Sequence, residues 1–208
     1  MRATVAAAYE RGVSIGAHPG YPDREGFGRR ELDLPMTNIL DSVEAQIELL
    51  AECCAIEGAR LSYVKAHGAL YNRAARDRET ARLLAACVAR FDPSLVMLAL
   101  AGSELEKGSL QHGLTVAREA FIDRAYTNDG TLVPRDRAGA VIDDVEDAAK
   151  RALMMVRDKC ILTIDGESID VDADSLCVHS DSRNALATVR AARLKLEESG
   201  FNIRSFAR

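Results

Sequence analysis

Short apolar runs alternate with longer amphipathic stretches along the chain, and the two kinds of segment predict different elements. Several runs are apolar at successive positions, which is typical of parallel strands covered on both faces. The runs that predict strands are Val13–Ala17, Leu61–Val64, Leu95–Ala101, Leu114–Ala117, Cys160–Ile164, Leu176–Val178 and Phe201–Phe206. The pattern therefore indicates a mainly parallel sheet.

The stretches between these runs have a helical period. Apolar residues from Ile39 to Cys54 recur every three or four positions, and Gly58 is a suitable stop. Ser103 with Glu106 forms a capping box, which predicts the start of another helix. Further helices are predicted around Thr4–Tyr9, Leu84–Phe91, Val145–Val156 and Leu186–Leu196. Alternation of strands and helices indicates right-handed βαβ units.

Polar side chains follow several predicted strands, and their positions favour a barrel over an open doubly wound sheet. They are His18, His67, Ser103, Glu119, His179 and Asp181. A barrel gathers its strand ends around one mouth, whereas an open sheet collects them at a switch point. We expect an α/β fold, an incomplete (β/α) TIM-like barrel with mostly parallel strands, in a single domain over residues 1–208. Because a complete barrel takes roughly 250 residues, we expect one or more initial strands to be missing.

Composition excludes some classes of protein. The 208 residues include 27 Lys and Arg against 32 Asp and Glu, a net charge of −5, and no basic stripe favours nucleic acid as the partner. No apolar stretch approaches the ~20 residues of a membrane helix, and no secretory signal is present. We expect a cytoplasmic protein without a membrane partner. The five cysteines include no C-x-x-C pair, so reduced thiols are expected.

The first candidate site segment is the loop Gly16–Arg30, which follows a predicted strand and is shaped by glycines and prolines. Compact domains usually keep such a long loop for function. His18 is suited to act as a metal ligand or general base. Arg29 and Arg30 are suited to hold a carboxylate or phosphate by paired hydrogen bonds. The alternative is a structural loop with Arg–Asp surface pairs.

The second segment is Val64–Asn72. Lys65 and His67 are two positions apart, so they face the same side of an extended strand. A buried lysine is costly without an anionic partner or substrate, which favours function over a structural histidine. Asn72 is placed to cap the next element.

The third segment is Arg118–Tyr126. Glu119, Asp123 and Arg124 closely follow a predicted strand, and Arg135 is nearby in sequence. Carboxylates beside arginines at a strand mouth can supply an acid/base group and an anion clamp. The alternative is a surface salt-bridge cluster, which contributes little to stability.

The fourth segment is Cys177–Ser182. His179 and Asp181 face one way if the strand continues, an arrangement that suits a metal pair or a carboxylate orienting an imidazole. The alternative is that Asp181 or Ser182 is a helix N-cap. The sequence contains no G-x-x-x-x-G-K-[ST], G-x-G-x-x-G or H-E-x-x-H motif. Any nucleotide would need an unconventional site or a partner subunit.

Taken together, these segments resemble the LamB/YcsF family. The resemblance rests on Gly-Ala-His-Pro-Gly-Tyr-Pro-Asp with Gly-Phe-Gly-Arg-Arg, then His-Gly-Ala-Leu-Tyr-Asn, and then Glu-Ala-Phe-x-Asp-Arg-x-Tyr with Leu-Val-Pro-Arg. It runs from about Gly12 to the C-terminus. Two family motifs that would precede Gly12, an acidic strand and a Cys-Gly-x-His segment, are missing from the sequence.

The resemblance implies a barrel of the glycoside hydrolase/deacetylase type, with a place in carbohydrate metabolism. It also implies ATP-dependent opening of 5-oxoproline to L-glutamate with two further subunits, B and C, and with Mg accompanying ATP. The catalytic residues it implies are His18, Lys65, His67, Glu119 and Asp123. The substrate-binding residues are Arg29, Arg30, Tyr71, Asn72, Arg124, Arg135, His179 and Asp181.

Within that family reading, His18, Lys65 and His67 would stabilise the charge that develops on the lactam oxygen. Glu119 or Asp123 would position water. One alternative is a metal-dependent amide or carbohydrate hydrolase or deacetylase using His18, His67 and His179. An alternative of another class is a non-catalytic binding or scaffold subunit.

Overall fold

The computed structural model describes residues 1–207, which divide into two compact units. The first unit comprises Met1–Ala117 together with Ala207, and the second comprises Arg118–Phe206. The interpretation of residues 1–208 as a single domain stays a prediction, and Arg208 lies outside the described residues.

The first unit alternates strands with helices. Its strands are β1 (Ile15–Ala17), β2 (Leu61–Val64), β3 (Val96–Leu100) and the beginning of β4 (Thr115–Phe121). Its helices are α1 (Arg2–Glu10), α2 (Met36–Ile56), α3 (Gly68–Arg76), α4 (Arg78–Phe91) and α5 (Glu104–Gln111). Strand β1 pairs in parallel with β2, and β2 pairs in parallel with β3. These pairings confirm the predicted βαβ organisation.

The second unit contains the rest of β4 and a small hairpin. Its other strands are β5 (Cys160–Leu162), β6 (Ser168–Asp170) and β7 (Ser175–Cys177). Its helices are α6 (Val145–Leu153) and α7 (Ala185–Glu198), and a π-helical turn, Met154–Asp158, continues α6. Strand β4 pairs in parallel with β7, with Glu119 opposite Ser175 and Phe121 opposite Cys177. Strands β5 and β6 pair in antiparallel fashion.

The main sheet has the strand order β1-β2-β3-β4-β7. The step from β4 to β7 skips the β5–β6 hairpin, which forms a separate two-stranded sheet. The described pairs β1–β2, β2–β3 and β4–β7 are all parallel. The predicted α/β class with mostly parallel strands is therefore confirmed.

The core of the first unit follows the helical period of the sequence. Ile39, Val43 and Ile47 lie on one face of α2 and are fully buried. The predicted stop is also confirmed, because Gly58 has a φ of +69° and donates its N–H to the Ala55 carbonyl after the last turn. Truncating one of these isoleucines to alanine costs about 2–5 kcal/mol in well-packed cores.

The predicted capping box at the start of α5 is confirmed with one difference. The Ser103 hydroxyl accepts the Glu106 N–H at 3.2 Å. The Glu106 carboxylate accepts the N–H of Gly102 at 2.7 Å, one residue before the N-cap. Two otherwise unpaired donors at the helix start are thereby satisfied.

Other predictions about elements hold in part or are wrong. The strand predicted from Cys160 is confirmed over Cys160–Leu162, but it belongs to the β5–β6 hairpin and not to the main sheet. Phe201–Phe206 forms no strand, and its Ile203 is exposed. Asn72 is not a cap but lies inside α3, whose N-cap is His67.

Candidate functional site

The ends of β1 and β2 bring two histidines into contact in the first unit. Parallel pairing continues past the strands, since Lys65 donates its N–H to the Ala17 carbonyl and His67 donates to that of Pro19. His18 and His67 then meet through Nε2 and Nδ1, 3.0 Å apart, with their rings edge to face. The topology therefore joins residues that are 49 positions apart in sequence.

All four ring nitrogens of this histidine pair have protein partners. His18 Nδ1 donates to the Lys65 carbonyl at 2.9 Å, and His67 Nε2 donates to the Phe27 carbonyl at 2.7 Å. Between the two rings, one nitrogen donates and the other accepts. These hydrogen bonds hold the two imidazoles in fixed positions beside the Lys65 backbone.

Glycines allow the loop to wrap closely around His67. A Cβ on Gly28 would lie 2.9 Å from the His67 ring, and the φ of Gly28 is +67°. A Cβ on Gly68 would lie 2.5 Å from the Gly28 carbonyl oxygen. Phe27 also has a positive φ, +56°, although it is not glycine, while its carbonyl binds His67. This local strain is typical of functional loops.

An ion pair braces the same loop. Arg30 donates to the Asp23 carboxylate, from Nε at 2.9 Å and also from Nη2, and the Gly26 N–H donates to Asp23 at 2.9 Å. The Arg30 hydrogen bond is the main reason that the pKa of Asp23 is lowered to about 2, against the opposing effect of burial. The Arg30 guanidinium is thus held within the loop, which agrees with the alternative that this segment is a structural loop with Arg–Asp pairs. Its role in substrate binding stays a prediction.

Other predicted residues of the first unit lie on the loop or on α3. Lys65 is half-buried, with Nζ 5.6 Å from the centre of the buried Tyr71 ring. Arg29 is exposed, and its guanidinium lies 5.3 Å from the centre of the Phe27 ring. Asn72 is exposed on α3.

In the second unit, the ends of β4 and β7 place Asp123 against His179. One Asp123 oxygen accepts the His179 backbone N–H at 2.8 Å and lies 2.9 Å from ring Nδ1. Burial opposes ionisation of this carboxyl, but the hydrogen bonds from His179 outweigh it, so the pKa of Asp123 lies below its ordinary value. Asp123 is therefore ionised near neutral pH, and its carboxylate orients the imidazole.

The remaining predicted residues of the second unit differ in their surroundings. Glu119 is buried in β4, whereas Arg135 and Asp181 are exposed. Arg124 is buried and donates to the carbonyls of Val133 at 2.6 Å and Ala140 at 3.2 Å, contacts that stabilise the segment after β4. The N-cap alternative for Asp181 and Ser182 is wrong, because α7 begins at Ala185. The substrate-binding roles stay predictions.

Three general properties concern the described chain as a whole. Among residues 1–207, no group of three or more His, Cys, Asp or Glu side chains is arranged to hold a metal ion. In the same part of the chain, no helix combines the length and apolar character that crossing a membrane requires. The five cysteines lie within the described residues and are free thiols.

Comparison with known proteins identifies the family. The sequence model of the LamB/YcsF family matches residues 1–208. The chain belongs to the LamB/YcsF family. The A subunit of 5-oxoprolinase from Heliobacterium modesticaldum is 50% identical over 205 residues, which are 99% of this chain and 81% of that protein. The corresponding A subunit from Paracidovorax citrulli is 46% identical over 205 residues, 99% of this chain and 82% of that protein.

A solved structure supports the fold of this LamB/YcsF chain. The crystal structure of a lactam utilization protein from Thermus thermophilus aligns with a TM-score of 0.90 and 44% identity, covering 99% of this chain and 82% of that one. The family resemblance and the incomplete barrel class inferred from sequence are thus confirmed.

Sequence reasoning missed Gln46 as a residue that shapes the site of this LamB/YcsF protein. Its amide accepts the Gly20 N–H at 3.1 Å and donates to the Gly20 carbonyl at 2.9 Å, which holds the loop to α2. A polar residue directly before the buried Ile47 was the available signal. The contact between the Phe27 carbonyl and His67 could not be predicted from sequence, because every residue type has a backbone carbonyl.

Proposed function

We propose that this chain is the A subunit of an ATP-dependent 5-oxoprolinase, which opens 5-oxoproline to L-glutamate together with two further subunits, B and C. The observation that carries the proposal is the 50% identity, over 99% of the chain, to a protein named as the A subunit of 5-oxoprolinase. The likeness to a lactam utilization protein also supports it, since 5-oxoproline is a lactam.

The chemistry explains why such a reaction needs ATP. A lactam carbonyl is stabilised by resonance, so water attacks it slowly. Phosphorylation of the carbonyl oxygen makes the ring carbon more electrophilic, and water then opens the ring. ATP, with its Mg²⁺, is a substrate in this scheme, and its use places the reaction in the cytoplasm.

The segment around the histidine pair fits the electrostatic part of this chemistry. Lys65 carries a cationic side chain between β2 and His67, and its carbonyl binds the His18 ring. Cationic groups that are fixed before the reaction favour negative charge on the lactam oxygen or on a phosphate. Arg29, exposed on the same loop, is suited to bind the substrate carboxylate. The chain has no P-loop, so we propose that a partner subunit shares the binding of ATP.

The test is ATP-dependent glutamate release by the complex reconstituted from this chain and the two other subunits. We expect glutamate and phosphate to appear together, and Lys65→Met to lower kcat/KM by about 10²-fold or more through loss of an electrostatic contact. Lys150→Met, which removes an exposed lysine on α6, is the matched control. A wild-type complex that releases no glutamate with ATP would contradict the proposal and favour a non-catalytic subunit.

A further inference from the structure

Opening of the activated lactam requires a base that takes a proton from water. We propose that His179 is this base and that Asp123 is the positioning residue that orients it. The inference rests on the proposed function and deepens it by naming the proton acceptor. It also exchanges the roles expected from sequence, in which Asp123 is catalytic and His179 binds substrate.

The contacts of Asp123 determine which ring nitrogen of His179 carries the hydrogen. His179 Nδ1 lies 2.9 Å and 3.1 Å from the two Asp123 oxygens. An ionised carboxylate only accepts hydrogen bonds, so Nδ1 is the donor. In the neutral ring, Nε2 then has the lone pair that accepts a proton.

The imidazole is fixed by contacts on several sides. Its ring stacks on Phe121 with centroids 5.5 Å apart and an interplanar angle of 26°. Its backbone N–H binds the same carboxylate at 2.8 Å. Ser182 donates its hydroxyl to the His179 carbonyl at 2.9 Å, which shapes the turn that follows. A base held in one orientation loses little freedom when the substrate reacts.

Burial separates the roles of the two residues. The Asp123 side chain is 3% exposed, whereas that of His179 is 23% exposed. The carboxylate is thus covered and engaged by His179, while the imidazole is accessible to a small molecule. The histidines of the first unit differ in this respect, because the ring nitrogens of both His18 and His67 bind protein groups.

The proposed step balances without an additional reactant. One water proton moves to His179 Nε2 as the water oxygen bonds to the phosphorylated lactam carbon. The π electrons of the C=N bond move to the ring nitrogen, which then receives the proton from the imidazolium. The C–N bond then breaks with its electron pair staying on nitrogen, while the hydroxyl on the carbon becomes a carbonyl and its proton passes to that nitrogen. The products of this step are an amine and an acyl phosphate. A second water attacks the acyl carbon, His179 again takes its proton, and phosphate leaves with the electron pair of the broken C–O bond and receives that proton, which completes glutamate. Asp123 remains ionised throughout and stabilises the transient imidazolium.

The experiment uses the reconstituted complex and the variant His179→Asn. The asparagine amide can donate to Asp123 as Nδ1 does, but no proton acceptor remains at the position of Nε2. We expect kcat to fall by about 10²–10⁴-fold, the range for loss of a general base, with KM for 5-oxoproline unchanged. His112→Asn, at the end of α5, is the matched control with unchanged kcat. Thermal unfolding of each variant chain shows whether folding is retained.

Two further variants separate a base from a structural residue. Added imidazole should restore part of the kcat lost in His179→Ala, because a free base can enter the vacated space. Asp123→Asn should lower kcat, and the double variant with His179→Asn should be no slower than His179→Asn alone, since Asp123 acts through His179.

The outcomes distinguish this inference from the proposed function. An active wild-type complex with unchanged kcat in His179→Asn would overturn the inference alone, as would a raised KM with normal kcat or an additive double variant. An inactive wild-type complex would overturn the proposed function itself, and the assignment of the base with it.

Discussion

His67 binds two different segments through one ring, and this makes the residue difficult to replace. Nε2 holds the Phe27 carbonyl at 2.7 Å, and Nδ1 meets His18 at 3.0 Å. Phenylalanine has a similar shape but no ring donor or acceptor. We expect His67→Phe to lower the free energy of unfolding by about 1–3 kcal/mol, because two hydrogen bonds are lost and their partners remain.

Urea unfolding followed by circular dichroism measures this effect. His112→Phe is the control, since His112 makes a single ring hydrogen bond, to the Gly108 carbonyl at 2.9 Å. We expect it to cost less than about 1 kcal/mol. Equal losses in the two variants would show that the bonds of His67 have no special structural role.

Asp23 gives the loop a predictable dependence on pH. Its pKa is lowered from an ordinary value of 3.8 to about 2, chiefly by the hydrogen bond from Arg30. A carboxyl with a lowered pKa in the folded state adds stability above its unfolded pKa, and this contribution is lost as the pH falls toward 2. We expect Asp23→Asn to destabilise the protein more at about pH 5 than at about pH 2.5. Urea midpoints of both proteins at the two pH values measure the difference, and a constant difference would contradict the assignment.

At the scale of elements, Gly28 in the loop after β1 is needed both for its positive φ and for its close approach to His67. Gly58, which follows α2, separates the two reasons, because its φ of +69° is nearly the same as the +67° of Gly28. A Cβ on Gly28 would contact His67, whereas one on Gly58 would contact nothing in the described part of the chain. We expect Gly58→Ala to cost about 1 kcal/mol from backbone strain alone. Gly28→Ala should cost more and also lower glutamate release, because the added methyl group displaces the His67 ring. Denaturant unfolding and kcat of both variants measure this, and equal losses in stability with full activity would contradict it.

The elements that could be predicted from sequence are those whose signals are local. The period of Ile39, Val43 and Ile47 predicts α2, and Ser103 with Glu106 predicts the start of α5. Phe201–Phe206 has apolar residues like a strand, but the segment is irregular in the structure and Ile203 is exposed. Whether such a segment joins a sheet depends on tertiary structure, which local composition does not describe.

At the scale of the whole molecule, the sequence indicates candidate residues for a site, but it does not indicate which groups those residues contact. Strand ends lie at one edge of a parallel sheet, so histidines and carboxylates after strands are candidates for reactive side chains. Within each unit two of them meet, His18 with His67 and Asp123 with His179. The partners could not be predicted, because Asp123 and His179 are 56 positions apart and Arg124 donates to the carbonyls of Val133 and Ala140. An arginine beside carboxylates has the same sequence signature whether it binds a substrate or its own chain.

The occupied histidine nitrogens also predict how the whole chain responds to metal. Zinc could bind His18 or His67 only after a hydrogen bond to Lys65, to Phe27 or between the rings is broken. We therefore expect one equivalent of zinc to leave the thermal midpoint of the chain unchanged and to produce no amide hydrolysis by the chain alone. Calorimetric titration with zinc and an assay of 5-oxoproline opening without ATP or partner subunits measure both effects. Tight 1:1 zinc binding that produces hydrolysis in the isolated chain, and is lost in His67→Phe, would instead support a metal-dependent hydrolase.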